Sequence, residues 1–396
     1  MKIEIKHRYL EKFIISDLKE KMVFIGGPRQ VGKTTLSRVI SEHYPDGATA
    51  YLNWDNKAHR RNILADNFAE DARLVIFDEI HKYHRWKNHL KGIFDVHRDR
   101  FHFLVTGSAR LDVYRRGGDS LLGRYHYYRL HPFSVAELIG LPPPRRFSRT
   151  ISPTEHSDSA LAFQQLLRWG GFPEPLLRQY TKAALQRWQQ ERTELLIKDD
   201  IRDLESVRDL SALQILSDLL PAKVGSPLSL NALRGDLEVA HKTIAHWIDI
   251  FERMYFHFRI YPYTNKMARM LHKEPKLYLW DWSMVNKESA RLENLVASHL
   301  LKFVHFWHDT AGYRTDLRYL RDFQGREVDF LVTLNNQPWF AVEVKTNDEE
   351  ISPHLRYFSE RLRIPHLYQV VSQSRVDFNK RSVRVISADK FLAALV

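Results

Sequence analysis

The sequence predicts an α/β fold with a parallel sheet and a phosphate-binding loop, on three observations. An apolar segment runs directly into the motif G-x-x-x-x-G-K-T at Gly27–Thr34 and then into a helix-compatible stretch. A second apolar segment, 74–77, ends in Asp78 and Glu79. Strand-like and helix-like patterns alternate over 1–140, which is typical of parallel strands joined by helices.

The glycine-rich loop has the residue types that bind a nucleoside triphosphate. Gly27 and Gly32 lack a Cβ, so the backbone can curl around an anion with its N–H groups facing the phosphates. Lys33 is expected to reach the β- and γ-phosphates, and the Thr34 hydroxyl is placed to ligate Mg²⁺. A purely structural turn is the alternative, but the flanking elements favour a site for ATP and Mg²⁺ formed by Gly27, Pro28, Arg29, Gln30, Val31, Gly32, Lys33, Thr34 and Thr35.

The acid pair after the second apolar segment supplies the other half of this site. We assign Asp78 to the orientation of Mg²⁺ and its water, and Glu79 to the base that polarises the attacking water. A pair that only capped a helix would not require so apolar a run before it. A strand predicted at 101–106 ends at the same sheet edge. Thr106 or Ser108 could therefore sense the γ-phosphate, although a helix N-cap is an equally good role for Ser108.

Composition narrows the class of protein. The chain has 396 residues, of which 44% are hydrophobic and 27% charged, so it can form two to four packed domains. Its formal net charge of +12 favours polyanionic partners, nucleic acid first and membrane surfaces second. Cysteine is absent, which excludes disulfides and thiolate metal sites. Without a long apolar run, a signal-peptide core or a basic amphipathic helix, we expect a cytoplasmic protein with no membrane partner.

Four domains are expected along the chain. The P-loop core should contain strands near 22–26, 48–52, 73–77, 101–106 and 125–130. A proline- and serine-rich stretch at 141–159 is predicted to be a linker or a flexible flap. A helical pattern follows, then a helix, a turn, a second helix and a hairpin, the order of a winged helix-turn-helix. The predicted boundaries are 1–150 for the core, 151–210 for a helical lid, 211–270 for the winged helix and 271–396 for a terminal α/β domain.

The second helix of that motif carries candidate nucleic-acid contacts. His241, Lys242 and Thr243 are expected near its exposed N-terminal end, where base or phosphate contacts are normally made. Winged helices also serve as packing modules or protein docking sites, and this alternative stays open.

The terminal domain contains a second group of chemistry-bearing residues. Two consecutive segments alternate polar and apolar side chains, so Glu343 and Lys345 share one face, and Asp329 is expected at the end of the preceding strand. We predict that Asp329 and Glu343 hold a second Mg²⁺ or Mn²⁺ and that Lys345 positions or activates water, an arrangement suited to phosphodiester hydrolysis. Glu293, on an apolar-periodic helix, could supply a further ligand. An ordinary amphipathic hairpin with exposed charges is the alternative.

Together, these motifs resemble the prokaryotic AAA-type ATPases that end in a domain of unknown function. In that family the terminal domain looks related to the PD-(D/E)xK nuclease superfamily, which implies a nuclease-like fold here. Its two strand motifs are matched by 327–330 and 342–345. The resemblance spans nearly the full chain and is otherwise carried by the segments 27–34, 78–80, 104–108 and 170–174.

The resemblance also implies an arginine finger. In AAA-type ATPases an arginine before the fifth strand commonly reaches the nucleotide of a neighbouring subunit, and Arg124 occupies that place. This implies a homo-oligomer, although Arg110, Arg115 and Arg116 are nearby rivals. Relatives often have glutamine after the Asp-Glu-Ile motif, whereas His81 stands here.

Two functions are compatible with these motifs. The first is ATP hydrolysis coupled to nucleic acid through the winged helix and the nuclease-like domain. The alternative is an ATP-dependent assembly or signalling switch whose terminal domain binds but does not cleave. The two interpretations diverge at Asp329, Glu343 and Lys345.

Overall fold

A computed structural model describes residues 7–107, 121–153, 155–201, 209–264, 274–347, 350–373 and 375–396, without the side chains of 199 and 200. The chain divides into two compact units, Met1–His131 and Pro132–Val396. The finer division into four domains stays a prediction.

The first unit is built on a five-stranded sheet in the order β2-β3-β4-β1-β5, and every neighbouring pair is parallel. Its strands are β1 (Met22–Gly26), β2 (Thr49–Asn53), β3 (Leu74–Asp78), β4 (His102–Thr106) and β5 (Tyr125–Arg129). The predicted strands are therefore confirmed to within one residue at each end. The helices are α1 (Glu11–Asp17), α2 (Lys33–Ser41), α3 (Lys57–Leu64) and α4 (Trp86–His97), with a 3₁₀ turn at Ile80–Lys82.

Burial explains why the sequence signal for this sheet is strong. Every residue of β1 and of β3 is buried, as expected for central strands of a parallel sheet covered on both faces. Aromatic side chains fill much of the core on one face, with Phe77 and Phe103 stacked at 6.1 Å between ring centroids. The two strands that precede the candidate site are thus held rigidly by the core.

The second unit contains an eight-stranded mixed sheet in the order β12-β13-β11-β10-β9-β8-β6-β7. The long helix that precedes β8 packs against this sheet. The strands are β6 (His257–Pro262), β7 (Lys276–Leu279), β8 (Thr315–Arg321), β9 (Glu327–Leu334), β10 (Gln337–Lys345), β11 (His366–Val371), β12 (Asp377–Lys380) and β13 (Val383–Ser387).

Helices occupy most of the rest of this unit. They are α5 (Val135–Leu138), α6 (Ser159–Trp169), α7 (Pro173–Arg178), α8 (Lys182–Leu195), α9 (Leu210–Leu219), α10 (Leu230–Leu237), α11 (His241–Arg253), α12 (Glu288–Ala311), α13 (Pro353–Leu362) and α14 (Ala388–Ala393). A π-helical segment covers Leu196–Ile201, and 3₁₀ turns cover Leu220–Lys223 and Trp282–Met284. Among the described residues, no helix combines the length and apolar character that a bilayer crossing requires.

The segment predicted as a winged helix-turn-helix has α10, α11 and the antiparallel pair β6–β7 in that order. His241 and Lys242 are exposed in the first turn of α11, and Thr243 is half-buried. These positions agree with the expected exposure. The assignment as a winged helix, and any role in nucleic-acid binding, stay predictions.

The proline-rich linker is anchored by one aromatic side chain. The Phe147 ring stacks on Tyr313 at 4.2 Å and lies 4.9 Å from the Trp339 ring. The indole N–H of Trp339 donates to the Arg149 carbonyl oxygen at 2.6 Å. Around Phe147, therefore, the stretch packs against Tyr313 and against Trp339 of β10, and the choice between a linker and a flexible flap stays a prediction.

Removing this anchor should destabilise the second unit. We expect Phe147→Ala to lower the free energy of unfolding by about 2 kcal/mol, because a half-buried ring loses its aromatic neighbours. Phe323 is 92% exposed, so Phe323→Ala serves as the control and should change the value by less than about 0.5 kcal/mol. Urea unfolding followed by circular dichroism measures both, and equal effects would contradict the packing described here.

Candidate nucleotide site and C-terminal carboxylate cluster

The glycine-rich loop leaves the carboxyl end of β1, which lies between β4 and β5 in the sheet. Gly27 and Gly32 have φ angles of 141° and 99°, in the region that favours glycine. A Cβ on Gly27 would lie 2.5 Å from the carbonyl oxygen of Leu130. The loop therefore passes too close to the neighbouring backbone for any side chain at this position.

Lys33 begins α2 and points back into the loop. Its ammonium donates to the carbonyl oxygens of Gly27 and Pro28 at 2.9 and 2.7 Å. The helix has Gly32 at its N-cap and no side-chain cap hydrogen bond. The backbone N–H groups at a helix N-terminus attract anions, and here they follow a loop that already holds a lysine ammonium. This arrangement suits phosphate groups.

The carboxyl ends of three neighbouring strands align Asn53, Asp78 and Thr106 in one row. The Thr106 hydroxyl donates to Asp78 Oδ1 at 2.6 Å, and the Asn53 amide donates to Oδ2 at 3.2 Å. The Tyr51 hydroxyl also donates to Oδ2. Asp78 is buried, so these donors fix the orientation of its carboxylate at the sheet edge.

Glu79 follows Asp78 with a left-handed backbone, φ 59° and ψ 20°. Such a conformation is uncommon for a residue other than glycine and is often found at functional sites. Its carboxylate lies 3.3 Å from Nε2 of His81, the residue that departs from the family pattern. Burial raises the pKa of Glu79, Lys33 lowers it and Asp78 raises it, with a net upward shift. A higher pKa makes the carboxylate a better proton acceptor.

Three side chains at this site were not predicted from the sequence. Tyr51 and Asn53 reach Asp78 only because β2 lies beside β3 in the sheet. The Arg8 guanidinium donates to the Val31 carbonyl oxygen at 2.9 Å, and so supports the loop from the N-terminal segment. The polar residues at the end of β2 are a weak signal that could have been noticed, whereas the sequence contains no local signal for Arg8.

Of the remaining residues predicted for this site, Arg124 lies in the described part of the chain. Arg124 lies just before β5, where it forms a bidentate ion pair with Asp95, with N–O distances of 2.8 and 3.0 Å. Its side chain is 31% exposed, and its role as an arginine finger stays a prediction. Ser108 and the rival arginines Arg110, Arg115 and Arg116 lie outside the described residues.

In the second unit, the structure brings Asp329, Glu343 and Lys345 together. The Lys345 ammonium lies 2.9 Å from Glu343, and the Val344 N–H donates to Asp329 at 2.9 Å. The expected place of Asp329 is wrong in one respect, because it lies near the start of β9, which continues to Leu334. The antiparallel pairing of β9 with β10 nevertheless places it beside Glu343.

Glu293 reaches the same cluster from α12. Its carboxylate accepts a hydrogen bond of 2.6 Å from the Tyr278 hydroxyl. Burial, with the neighbouring Asp329 as the next cause, raises the pKa values of Glu293 and Glu343 to about 7. Glu343 is 5% exposed, and its Oε2 atom has no hydrogen-bond partner among the residues that the structure describes.

A lysine that the sequence analysis missed lies among these carboxylates. Lys276 opens β7, and its ammonium is 2.6 Å from Glu327, 3.4 Å from Glu293 and 3.5 Å from Asp329. A lysine at the start of a strand usually indicates exposure, so no local signal pointed to this position. Within the described part of the chain, no group of three or more histidine or acidic side chains has an arrangement that would hold a metal ion.

The hydrogen bond from Tyr51 to Asp78 should be measurable by a double-mutant cycle. We expect Tyr51→Phe and Asp78→Asn to show a coupling free energy of about 1–2 kcal/mol in urea unfolding, because a buried carboxylate loses a donor. Tyr44, whose hydroxyl pairs with His102, provides the control cycle with Asp78→Asn. Additive effects in the Tyr51 cycle would contradict the hydrogen bond.

The chain is similar to several known proteins at low sequence identity. A protein of Mycobacterium tuberculosis described as uncharacterized is 22% identical over 344 residues, which are 85% of this chain and 73% of that protein. One of Methanocaldococcus jannaschii, also described as uncharacterized, is 24% identical over 307 residues, 68% of this chain and 62% of that protein. The solved structure of a Walker-type ATPase of Pyrococcus abyssi is 13% identical, with a TM-score of 0.41 over 72% of this chain and 95% of its own.

Family models match three segments of the chain. Residues 160–310 match a domain of unknown function, DUF8612, and residues 289–391 match another, DUF4143. Neither description names an activity, so the nuclease-like interpretation of the terminal domain stays a prediction. Residues 19–139 match the family model described as the AAA domain, so this part of the chain, with its parallel sheet and its glycine-rich loop, is similar to AAA domains.

Proposed function

We propose that this protein hydrolyses ATP, with Mg²⁺ as cofactor, at the carboxyl edge of its five-stranded sheet. One observation carries the proposal: the row formed by Asp78 and Thr106 lies in register beside β1, the strand that leads into the glycine-rich loop. Ligands of open α/β sheets bind at this edge. The AAA domain match names the same class of protein.

The residues present fit both ATP and Mg²⁺. The loop residues Gly27–Thr35, apart from Pro28, offer backbone N–H groups to a triphosphate, and Lys33 adds its ammonium. Thr34 and Asp78 offer hydroxyl and carboxylate oxygens, the ligands that Mg²⁺ prefers. When bound by these two residues, Mg²⁺ would neutralise charge on the phosphate oxygens.

Hydrolysis then requires an oriented water molecule. Glu79 is placed beyond Asp78 to accept a hydrogen bond from that water and to take up its proton, and its raised pKa suits this role. Lys33 offsets the negative charge that develops on the β- and γ-phosphates. Tyr51, Asn53 and Thr106 act through Asp78, whose orientation they fix.

Assembly into a homo-oligomer is part of the proposal. Arg124 would reach the nucleotide of a neighbouring copy as an arginine finger. The Arg124 side chain is partly exposed, and this supports the role because a partly exposed arginine can reach a neighbouring subunit. The finger would first have to leave its ion pair with Asp95.

Nucleic acid is the proposed partner of the second unit. The net charge of +12 belongs to the whole chain, and within the second unit the support comes from exposed His241 and Lys242 in the first turn of α11. A winged helix that docks a protein instead remains the alternative for this segment.

The terminal domain has two candidate activities. The first is phosphodiester hydrolysis by a nuclease-like group. In this group Asp329 and Glu343 would hold Mg²⁺ or Mn²⁺, Glu293 would supply a further ligand, and Lys345 would position or activate water. The unpartnered Oε2 atom of Glu343 supports a cation site. The Lys276 ammonium between Glu293 and Asp329 favours the alternative, a domain that binds without cleaving and serves an ATP-dependent assembly or signalling switch.

Replacement of the P-loop lysine tests the ATPase proposal. We expect Lys33→Ala to lower ATP turnover by at least about 100-fold, because charge on the transferred phosphate is no longer offset. Phosphate release from purified, folded protein measures this. Lys57→Ala, which removes an exposed lysine at the start of α3, is the control and should leave turnover unchanged. Undiminished turnover in Lys33→Ala would remove Lys33 from the mechanism.

Salt-dependent binding tests the nucleic-acid proposal. We expect affinity for labelled DNA or RNA, single- or double-stranded, to fall by about tenfold or more between 50 and 200 mM salt, because counterions are released from the phosphates. Lys242→Glu should weaken binding at low salt. Lys182→Glu changes an exposed lysine at the start of another helix, α8, and is the matched control.

The same samples, incubated with Mg²⁺ or Mn²⁺, separate the two interpretations of the terminal domain. We expect binding without cleavage, and hence no difference between wild type and Asp329→Ala on a denaturing gel. Cleavage lost in Asp329→Ala would eliminate the switch that only binds. Salt-independent or absent binding would refute the nucleic-acid role and leave the ATPase proposal intact.

A further inference from the structure

Lys276 is the most deeply enclosed cation of the terminal carboxylate cluster. Its side chain is 2% exposed, against 45% for Lys345 on the other side of the cluster. Burial of an uncompensated ammonium is strongly unfavourable. The lysine is therefore stable in this place because carboxylates of Glu293, Glu327 and Asp329 surround it.

The ammonium is fixed by elements that do not adjoin in sequence. Glu293 comes from α12, Glu327 and Asp329 from β9, and Lys276 itself from β7. The Tyr319 ring of β8 lies 5.7 Å from the ammonium. Because β7 is paired along its length with β6, the backbone of Lys276 is held in the sheet.

Glu293 and Asp329 share this one ammonium. Its distances to the two carboxylates are nearly equal, 3.4 and 3.5 Å. The position between them is where a cation bridging the helix and the strand would lie. A divalent ion placed there would be repelled by the ammonium at short range in a poorly solvated site.

We propose that Lys276 is the resident cation of this cluster and that it excludes a divalent metal ion from the position between Glu293 and Asp329. The proposal rests on the nuclease-like interpretation of the terminal domain, and it gives that domain a physical reason to bind without cleaving. Lys345 is paired with Glu343 on the other side of the cluster, so two lysines face the four carboxylates of Glu293, Glu327, Asp329 and Glu343.

Replacement of the lysine by a side chain of similar length without charge tests the proposal. We expect Lys276→Met to bind Mn²⁺ at least about tenfold more tightly than the wild type, because the repulsion is removed and three carboxylates lose their counter-ion. The loss of the free Mn²⁺ electron paramagnetic resonance signal on titration with nucleotide-free protein measures the binding. The gain should disappear in the double variant Lys276→Met, Asp329→Asn.

Lys302→Met is the matched control. Lys302 is also 2% exposed, but its ion pair is with Glu137, away from the cluster, so this variant should gain no Mn²⁺ binding. The proposal is overturned if Lys276→Met gains no more than Lys302→Met. It is also overturned if the wild type already binds Mn²⁺ in an Asp329-dependent way with the affinity of Lys276→Met.

A folding check and a parallel measurement of ATP turnover distinguish failure of the metal-exclusion proposal from failure of the ATPase proposal. If Lys276→Met does not fold, Lys276→Gln replaces it in the same Mn²⁺ titration, because glutamine is polar and of similar length. The two results that overturn the proposal for Lys276→Met then apply to Lys276→Gln. ATP turnover of the folded variants, measured in parallel, reports on the first unit. Failure of the metal-exclusion proposal with turnover intact leaves the ATPase proposal standing, whereas absent turnover in the wild type defeats the ATPase proposal alone.

Discussion

The parallel register of β1, β4 and β3 is the constraint on which the nucleotide site depends. It places Thr106 next to Ile25 on one side and next to Asp78 on the other. The glycine-rich loop and the acid pair are more than 40 residues apart in the sequence, yet the sheet brings their strands to one edge. Since β1 and β3 are buried throughout, a shift of one residue in either strand would disrupt the close packing of its side chains on both faces of the sheet and is disfavoured. Core packing thus fixes the distance between the phosphate loop and the carboxylates that would serve it.

The two candidate sites stabilise their carboxylates with different kinds of partner. At the sheet edge of the first unit, the Asp78 carboxylate is held by neutral donors, the hydroxyls of Tyr51 and Thr106 and the amide of Asn53. Such donors fix a carboxylate and leave its charge available to a cation. In the second unit, the carboxylates face the lysine ammoniums of Lys276 and Lys345. Asp78 can therefore bind an external cation, whereas the carboxylates of the second site are already paired with two lysine ammoniums.

Local sequence predicted the fold of the first unit and the core of its site because each signal lies within one strand and the residues that follow it. The P-loop and the acid pair are of this kind, and the strand ends agree to within one residue. Tyr51 and Lys276 could not be found in this way, because their roles depend on which strands are neighbours. The position of Asp329 was misjudged for a related reason. The strand β9 continues past Asp329 to Leu334, and the turn at Asn335 and Asn336, with φ angles of 51° and 63°, follows it.

Calorimetric titration of the folded protein with ATP in the presence of Mg²⁺ is the decisive measurement for the candidate nucleotide site. We predict saturable uptake of one ATP per chain, weakened when Mg²⁺ is chelated, because in the proposed site the loop supplies the phosphate contacts, and Asp78 and Thr34 supply the metal ligands. Folded protein that takes up no ATP under these conditions would contradict the assignment of the glycine-rich loop, and with it the function built on that loop.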